Sequence, residues 1–209
     1  MGSNRSDWFG DVPGVLRMAA RLGLRMITLN SSGRELGWDG HDIERGSGGL
    51  SDVGAKMIDQ MNRSGILIDL AHTNESSSLD IISYSQRPVI DSHSNPRVLE
   101  ESTRNTSDVV MRALADRGGL LGIIPGITRP EREQPYTEVD SDQLAVVVRH
   151  IDYAVDVMGI EGVGIGTHFN SACLPWLIEA VLQAGYTEAD AAKIFGGNYL
   201  RILRAVLPA

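Results

Sequence analysis

Cysteine occurs once, at Cys173, so the chain holds no internal disulfide and no cysteine-based zinc cluster. That lone thiol reads as a small buried apolar side chain. Aromatic residues are 5% of the chain and are not interleaved with any basic stripe. With a net charge of -8, no nucleic-acid partner is expected. No apolar run is long enough to span a membrane, and the opening MGSNRSDWFGDV lacks the apolar core of a signal peptide. The expected localisation is therefore cytoplasmic, with no membrane segment. Internal repeats and low-complexity tracts are also missing. What remains, 42% apolar and 22% charged over 209 residues, suits one globular domain spanning 1–209.

The informative stretch is 65–104, GILIDLAHTNESSSLDIISYSQRPVIDSHSNPRVLEESTR. It holds two short apolar runs, Ile66-Leu67-Ile68 and Pro88-Val89-Ile90, and each breaks into polar residues and then a histidine, His72 or His93. Short apolar runs separated by a helix-length segment read as buried parallel strands of an α/β protein. Sites in such proteins are built at the carboxyl ends of the strands. Two histidines at that level of neighbouring strands sit where a metal is held. The alternative is a pair of strand-end histidines hydrogen-bonded to a carboxylate or to backbone. Asp69 and Asp91 either orient the imidazoles as acceptors or cap loops.

Taken in order, 12–22 reads as a short amphipathic helix and 24–29 as the first strand. Residues 30–49 form a long polar loop, of the kind that is functional or a connector. His41 and Asp42 belong to it and read as loop residues ahead of substrate contacts. A helix over 52–64 follows, capped by Ser51, then a strand at 66–70 and a helix to Tyr84. The third strand is 89–91, a helix runs to Arg117, and 120–124 is the fourth strand. A proline-punctuated loop at 128–141 leads into the strongest helix, 142–158, in which His150 reads as solvated. The fifth strand is 163–166, and helices over 174–184, 187–195 and 198–206 close the chain. Gly196-Gly197-Asn198 reads as a helix-to-helix turn rather than a phosphate loop. Alternation of this kind predicts five parallel strands with flanking helices, in an open sheet or part of a barrel.

The stretch from GLSDVGAKM through LAH, SHS and STRN to GGLLGI resembles the membrane (renal) dipeptidase family of binuclear zinc peptidases. The likeness continues through IDYAVDVMGIEGVGIGTHFN and YTEADAAKIFGGNYLRILRAV. It implies a (β/α) TIM-barrel-like metallohydrolase that cleaves dipeptides with metal-activated water, here an incomplete barrel whose five strands match the family's fourth to eighth. It also implies that His72 and His93 are zinc ligands and that Arg104 grips the substrate carboxylate, a task suited to a guanidinium fork.

The departures are specific. The family's H-x-D motif and its metal-bridging glutamate are missing, so at most one of two zinc sites is partly retained. Its G-x-D-F-D motif stands here as Gly166-Thr167-His168-Phe169-Asn170. His168 thus takes the catalytic aspartate's position, which handles the proton and the substrate amine, and Asn170 takes a substrate-binding one. Ser31 stands where many members carry a histidine. Since two imidazoles make a weak zinc site, His168 is also a candidate third ligand.

The resemblance implies a truncated or divergent dipeptidase-type metallohydrolase, with little or no activity expected from the isolated chain. A dipeptide or related small amide is the expected substrate. Two alternatives stay open: a non-catalytic, self-associating partial barrel, and a divergent metal-dependent amidohydrolase using His168. Unpaired sheet edges make a homo-oligomer the expected state.

Overall fold

The computed structural model describes residues 2–4, 6–43, 45–126, 141–168 and 172–208. The expected loop at 128–141 lies almost wholly outside them, and so does Asn170. Five strands appear where the apolar runs predict them: β2 (Met26–Thr28), β3 (Leu67–Asp69), β4 (Ile90–Ser94), β5 (Leu120–Ile123) and β6 (Val163–Ile165). A sixth, β1 (Gly2–Asn4), pairs with β2 and was not expected. Glycine, serine and asparagine carry no apolar pattern and little strand preference, so only the neighbouring strand's backbone defines it. All pairings are parallel, in the order β1-β2-β3-β4-β5-β6. Among the described residues β1 and β6 are therefore the two ends of an open, barrel-like sheet.

Helices α1 (Pro13–Arg21), α2 (Asp52–Ser64), α3 (Glu75–Tyr84), α4 (Asp108–Asp116) and α5 (Ser141–Met158) each connect successive strands. The N-cap is that anticipated for α2, with the Ser51 side chain accepting from Gly54 N, and Gly65 closes the helix with φ 62°. Asn74 caps α3 the same way through Ser77 N. Three further helices follow β6: α6 (Leu174–Gln183), α7 (Glu188–Ala192) and α8 (Asn198–Val206). The helix expected over 187–195 ends early, and a wide turn at Lys193–Gly197 with Gly196 at φ 158° joins α7 to α8.

Period-two alternation splits the strands between two cores. Ile27, Ile68, Leu121, Ile123 and Val163 pack with Met57, Ile81, Leu114 and Ile151 of the connecting helices. On the opposite face Leu67, Ile90 and Leu120 meet Ile202 and Val206 of α8. Gly122 and Gly164 share that second face. A Cβ on Gly122 would overlap the Tyr199 hydroxyl, and one on Gly164 would lie 2.7 Å from Tyr199 Cε2. The missing side chains let Tyr199 lie flat and donate from its hydroxyl to Ser92 O at 2.9 Å. Asn198 anchors the start of α8 by donating to Ile160 O and Val163 O.

Two single-residue readings resolve here. Cys173 is fully buried, as expected of an apolar filler. His150 is not solvated: only 4% of its surface is exposed, because it lies on the face of α5 that carries Val147, Ile151 and Ala154. Its neighbour Arg149 is exposed, and adjacency to a charge says little about which side of a helix a residue occupies. Among the described residues, no helix is long and apolar enough to cross a membrane.

Candidate metal centre

β3 and β4 lie side by side and parallel, so residues just beyond Asp69 and within the end of β4 emerge at one edge of the sheet. His72 follows β3 by three residues, and His93 lies inside β4, which runs further than its apolar start suggests. Their Nε2 atoms face each other at 3.2 Å. Two imidazole nitrogens on one tetrahedral zinc lie about 3.3 Å apart, from bond lengths near 2.0–2.1 Å. The pair therefore fits a shared ion as it stands.

His168 joins them from the turn after β6. Its ring stacks on that of His93, with centroids 4.8 Å apart and planes 27° from parallel. Ligand atoms of His72, His93 and His168 all lie within 4.8 Å of one another, the one group of three or more potential ligands found among the described residues. Glycine permits this approach: a Cβ on Gly166 would overlap the Ser92 carbonyl oxygen and reach within 2.8 Å of His93 Cα. Among the described residues, the two non-glycine residues with positive φ are His72 at 69° and His168 at 54°. Backbone held in that sparsely populated region clusters at functional sites.

The surroundings keep the imidazoles neutral. Burial lowers the His72 pKa to about 3, helped by the Arg104 charge, and lowers that of His93 to about 4 for the same two reasons. Neutral imidazole is the form that ligates a metal. Asp69, fully buried, supplies the orientation. One carboxylate oxygen accepts Thr28 Oγ1 and Ser92 Oγ, each at 2.6 Å, and the other accepts Ala71 N and Ser92 N. Burial pushes the Asp69 pKa up, and these donors pull it down. Because Ser92 spends its one proton on Asp69, its oxygen must accept from His93 Nδ1 at 2.7 Å. That leaves the His93 Nε2 lone pair aimed at His72.

Arg104 stands beside this group. Its Nη2 donates to His93 O at 2.6 Å, while its Nη1 is buried with no partner among the described residues. Burial lowers its pKa, against the opposing pull of Asp91 and Asp69. Asp91 faces the interior and accepts Thr106 Oγ1 at 2.6 Å. Its second oxygen is buried without a partner among the described residues, and burial raises its pKa to about 6.

Thr28 and Ser92 were not picked out in the sequence, although Ser92 sits between two residues that were. His41 was read as a loop residue, yet its ring is 5.4 Å from that of His72, and His41 N donates to His72 O. The loop 30–49 is fixed in place by buried Trp38, whose Nε1 donates to Leu29 O, and by an Arg34–Asp39 ion pair at 2.7 Å. Asp42, the other loop candidate, accepts from Gly33 N inside the loop.

A family model described as membrane dipeptidase, Peptidase family M19, matches residues 1–208. Dipeptidase verJ of Clonostachys rogersoniana is 33% identical over 206 residues, covering 93% of this chain and 51% of its own length. The crystal structure of an amidohydrolase from Pseudomonas aeruginosa superposes with a TM-score of 0.83 at 26% identity, over 98% of this chain and 71% of that one. A metallo peptidase from Rhodobacter sphaeroides, liganded with a phosphinate mimic of the dipeptide L-Ala-D-Ala, gives a TM-score of 0.76 at 25% identity, over 92% of this chain and 58% of that one. The chain spans about half the length of the first two curated relatives it matches.

Proposed function

The chain belongs to the membrane dipeptidase family, Peptidase family M19, and from that membership we propose a metal-dependent, dipeptidase-type hydrolase acting on a dipeptide or related small amide. The observation that carries the proposal is the pair of Nε2 atoms 3.2 Å apart at adjacent strand ends, with an unpartnered guanidinium nitrogen beside them. His72 and His93 would hold zinc. A bound zinc ion supplies Lewis acidity, polarising the scissile carbonyl and acidifying water.

The chain's own groups do the rest. Arg104 is steadied by the His93 carbonyl through one amino group, and its other amino group, buried and without a partner among the described residues, would serve a substrate carboxylate as a charge-assisted donor. Asp69 and Ser92 hold His93 in the tautomer whose Nε2 faces the site. His168, stacked on His93, would face the reacting end of a substrate whose carboxylate lay on Arg104. By the resemblance, Asn170 contributes a substrate contact.

The test uses a phosphinate dipeptide mimic and the zinc-loaded chain in a calorimeter. Binding is expected, with loss on chelation and a severe loss in Arg104→Ala, while turnover of an unblocked dipeptide is expected to be slow. A folded, zinc-loaded chain that ignores the mimic, or an Arg104→Ala variant that binds it as well as the parent, overturns the proposal.

A further inference from the structure

We propose that His168 is a third metal ligand, so that His72, His93 and His168 form a single-ion centre made of imidazoles alone. The proposal rests on the reading of His72 and His93 as metal-holding, and it assigns His168 to coordination in place of proton transfer.

Three independent features converge on it. The ligand atoms of all three histidines lie within 4.8 Å of one another. His72 and His93 are already at the separation a shared tetrahedral ion requires. His168 is exposed at the end of the sheet, with its ring already stacked on that of His93. The backbone is committed to the same end. His168 is held at φ 54°, and Gly166 has no side chain to keep β6 off the Ser92–His93 backbone. A histidine in a left-handed conformation, two residues beyond a glycine that packs against another ligand's main chain, is a costly arrangement for a surface residue with no task.

The donor set also predicts what fills the open position. Three neutral imidazoles leave a divalent ion its full double charge, and Arg104 adds another positive charge beside His93. Three protein ligands with one open position is the arrangement of catalytic zinc sites. An anion, such as a carboxylate, is the ligand class this electrostatic setting favours in the fourth position.

Zinc alone is the probe. Equilibrium dialysis with metal analysis should give one ion per parent chain. His72→Ala should abolish tight binding. His168→Asn keeps a residue that tolerates positive φ while removing the imidazole, and should weaken zinc by roughly 100-fold or more, since loss of an outer hydrogen-bond partner alone costs 10–100-fold. His168→Gly, which relieves any backbone strain, should weaken it equally, and circular dichroism should report an intact fold in both. If His168→Asn and His168→Gly bind zinc within threefold of the parent while His72→Ala does not, the third-ligand assignment fails and the two-histidine reading survives. If the parent chain binds no zinc, both fail.

Discussion

Replacing Asp69 with asparagine should silence the proposed metal centre without touching a proposed ligand. The carboxylate accepts four hydrogen bonds, two from the backbone nitrogens of Ala71 and Ser92 on one oxygen and two from the hydroxyls of Thr28 and Ser92 on the other. Backbone N–H groups can only donate, so the asparagine oxygen must take their side and its amide must face the hydroxyls. Both hydroxyls then become acceptors, and the Ser92 proton turns toward His93 Nδ1, 2.7 Å away. His93 is forced to carry its proton on Nε2, where the metal lone pair should be. Four charge-assisted bonds at about 1.5–3 kcal/mol each become neutral ones near 1 kcal/mol, a gross loss of roughly 2–8 kcal/mol that is offset in part because a charge is no longer buried. Disturbing a partner of this kind typically weakens metal binding 10–100-fold, or about 1.4–2.7 kcal/mol. Nitrogen-15 NMR of the imidazoles reads the tautomer directly, and zinc calorimetry reads the affinity. A folded Asp69→Asn chain with His93 still protonated on Nδ1, or with unchanged zinc affinity, refutes the relay.

Gly166→Ala should destabilise the fold by about 1–3 kcal/mol, because its Cβ would overlap the Ser92 carbonyl and lie 2.8 Å from His93 Cα. A melting temperature equal to the parent's would contradict this close packing. His150 titrates with a depressed pKa, chiefly through burial, with Arg149 pushing the same way and Glu100 opposing. The unfolded chain therefore binds the proton more readily, so stability should be full above about pH 6.5 and fall as pH drops below it. His72 and His93, depressed to about 3 and about 4, share that limb, so His150→Leu should flatten it only in part, and an unchanged slope in denaturant titrations would remove His150 as a contributor. With β1 and β6 at the two ends of the sheet among the described residues, the chain should self-associate, and sedimentation velocity returning a stable monomer at micromolar concentration would rule that out.

The parts of the fold that were legible are those in which a local pattern carries the structure. Leu120–Ile123 and the apolar start of β3 are continuous runs that only a strand covered on both faces would keep, and Ser51 marks the start of α2 by its own chemistry. β1 escaped because three small polar residues owe their conformation to a neighbour twenty-four positions on. The location of α8 escaped too, since an amphipathic stripe looks the same whichever face of the sheet it covers. At the site, His72, His93 and Arg104 were visible through spaced motifs. Thr28 and Ser92 were not, because a serine or threonine hydroxyl acquires its importance only when the strands stand in register and a buried carboxylate needs its proton. The nearness of His41 to His72 likewise depends on the Gly40–Thr73 bridge, a contact between segments with no local signature.

The hydrogen bond from the Arg104 guanidinium to the His93 main chain makes one lever of two tasks. The side chain that would seat a substrate carboxylate also tethers the peptide bearing an imidazole proposed to hold the ion, while Tyr199 holds the adjacent Ser92 carbonyl from the opposite core. Any ligand that tugs on the guanidinium is therefore felt at the imidazole. Occupancy of the carboxylate pocket and affinity for the ion should rise and fall together, by linkage through a single strand.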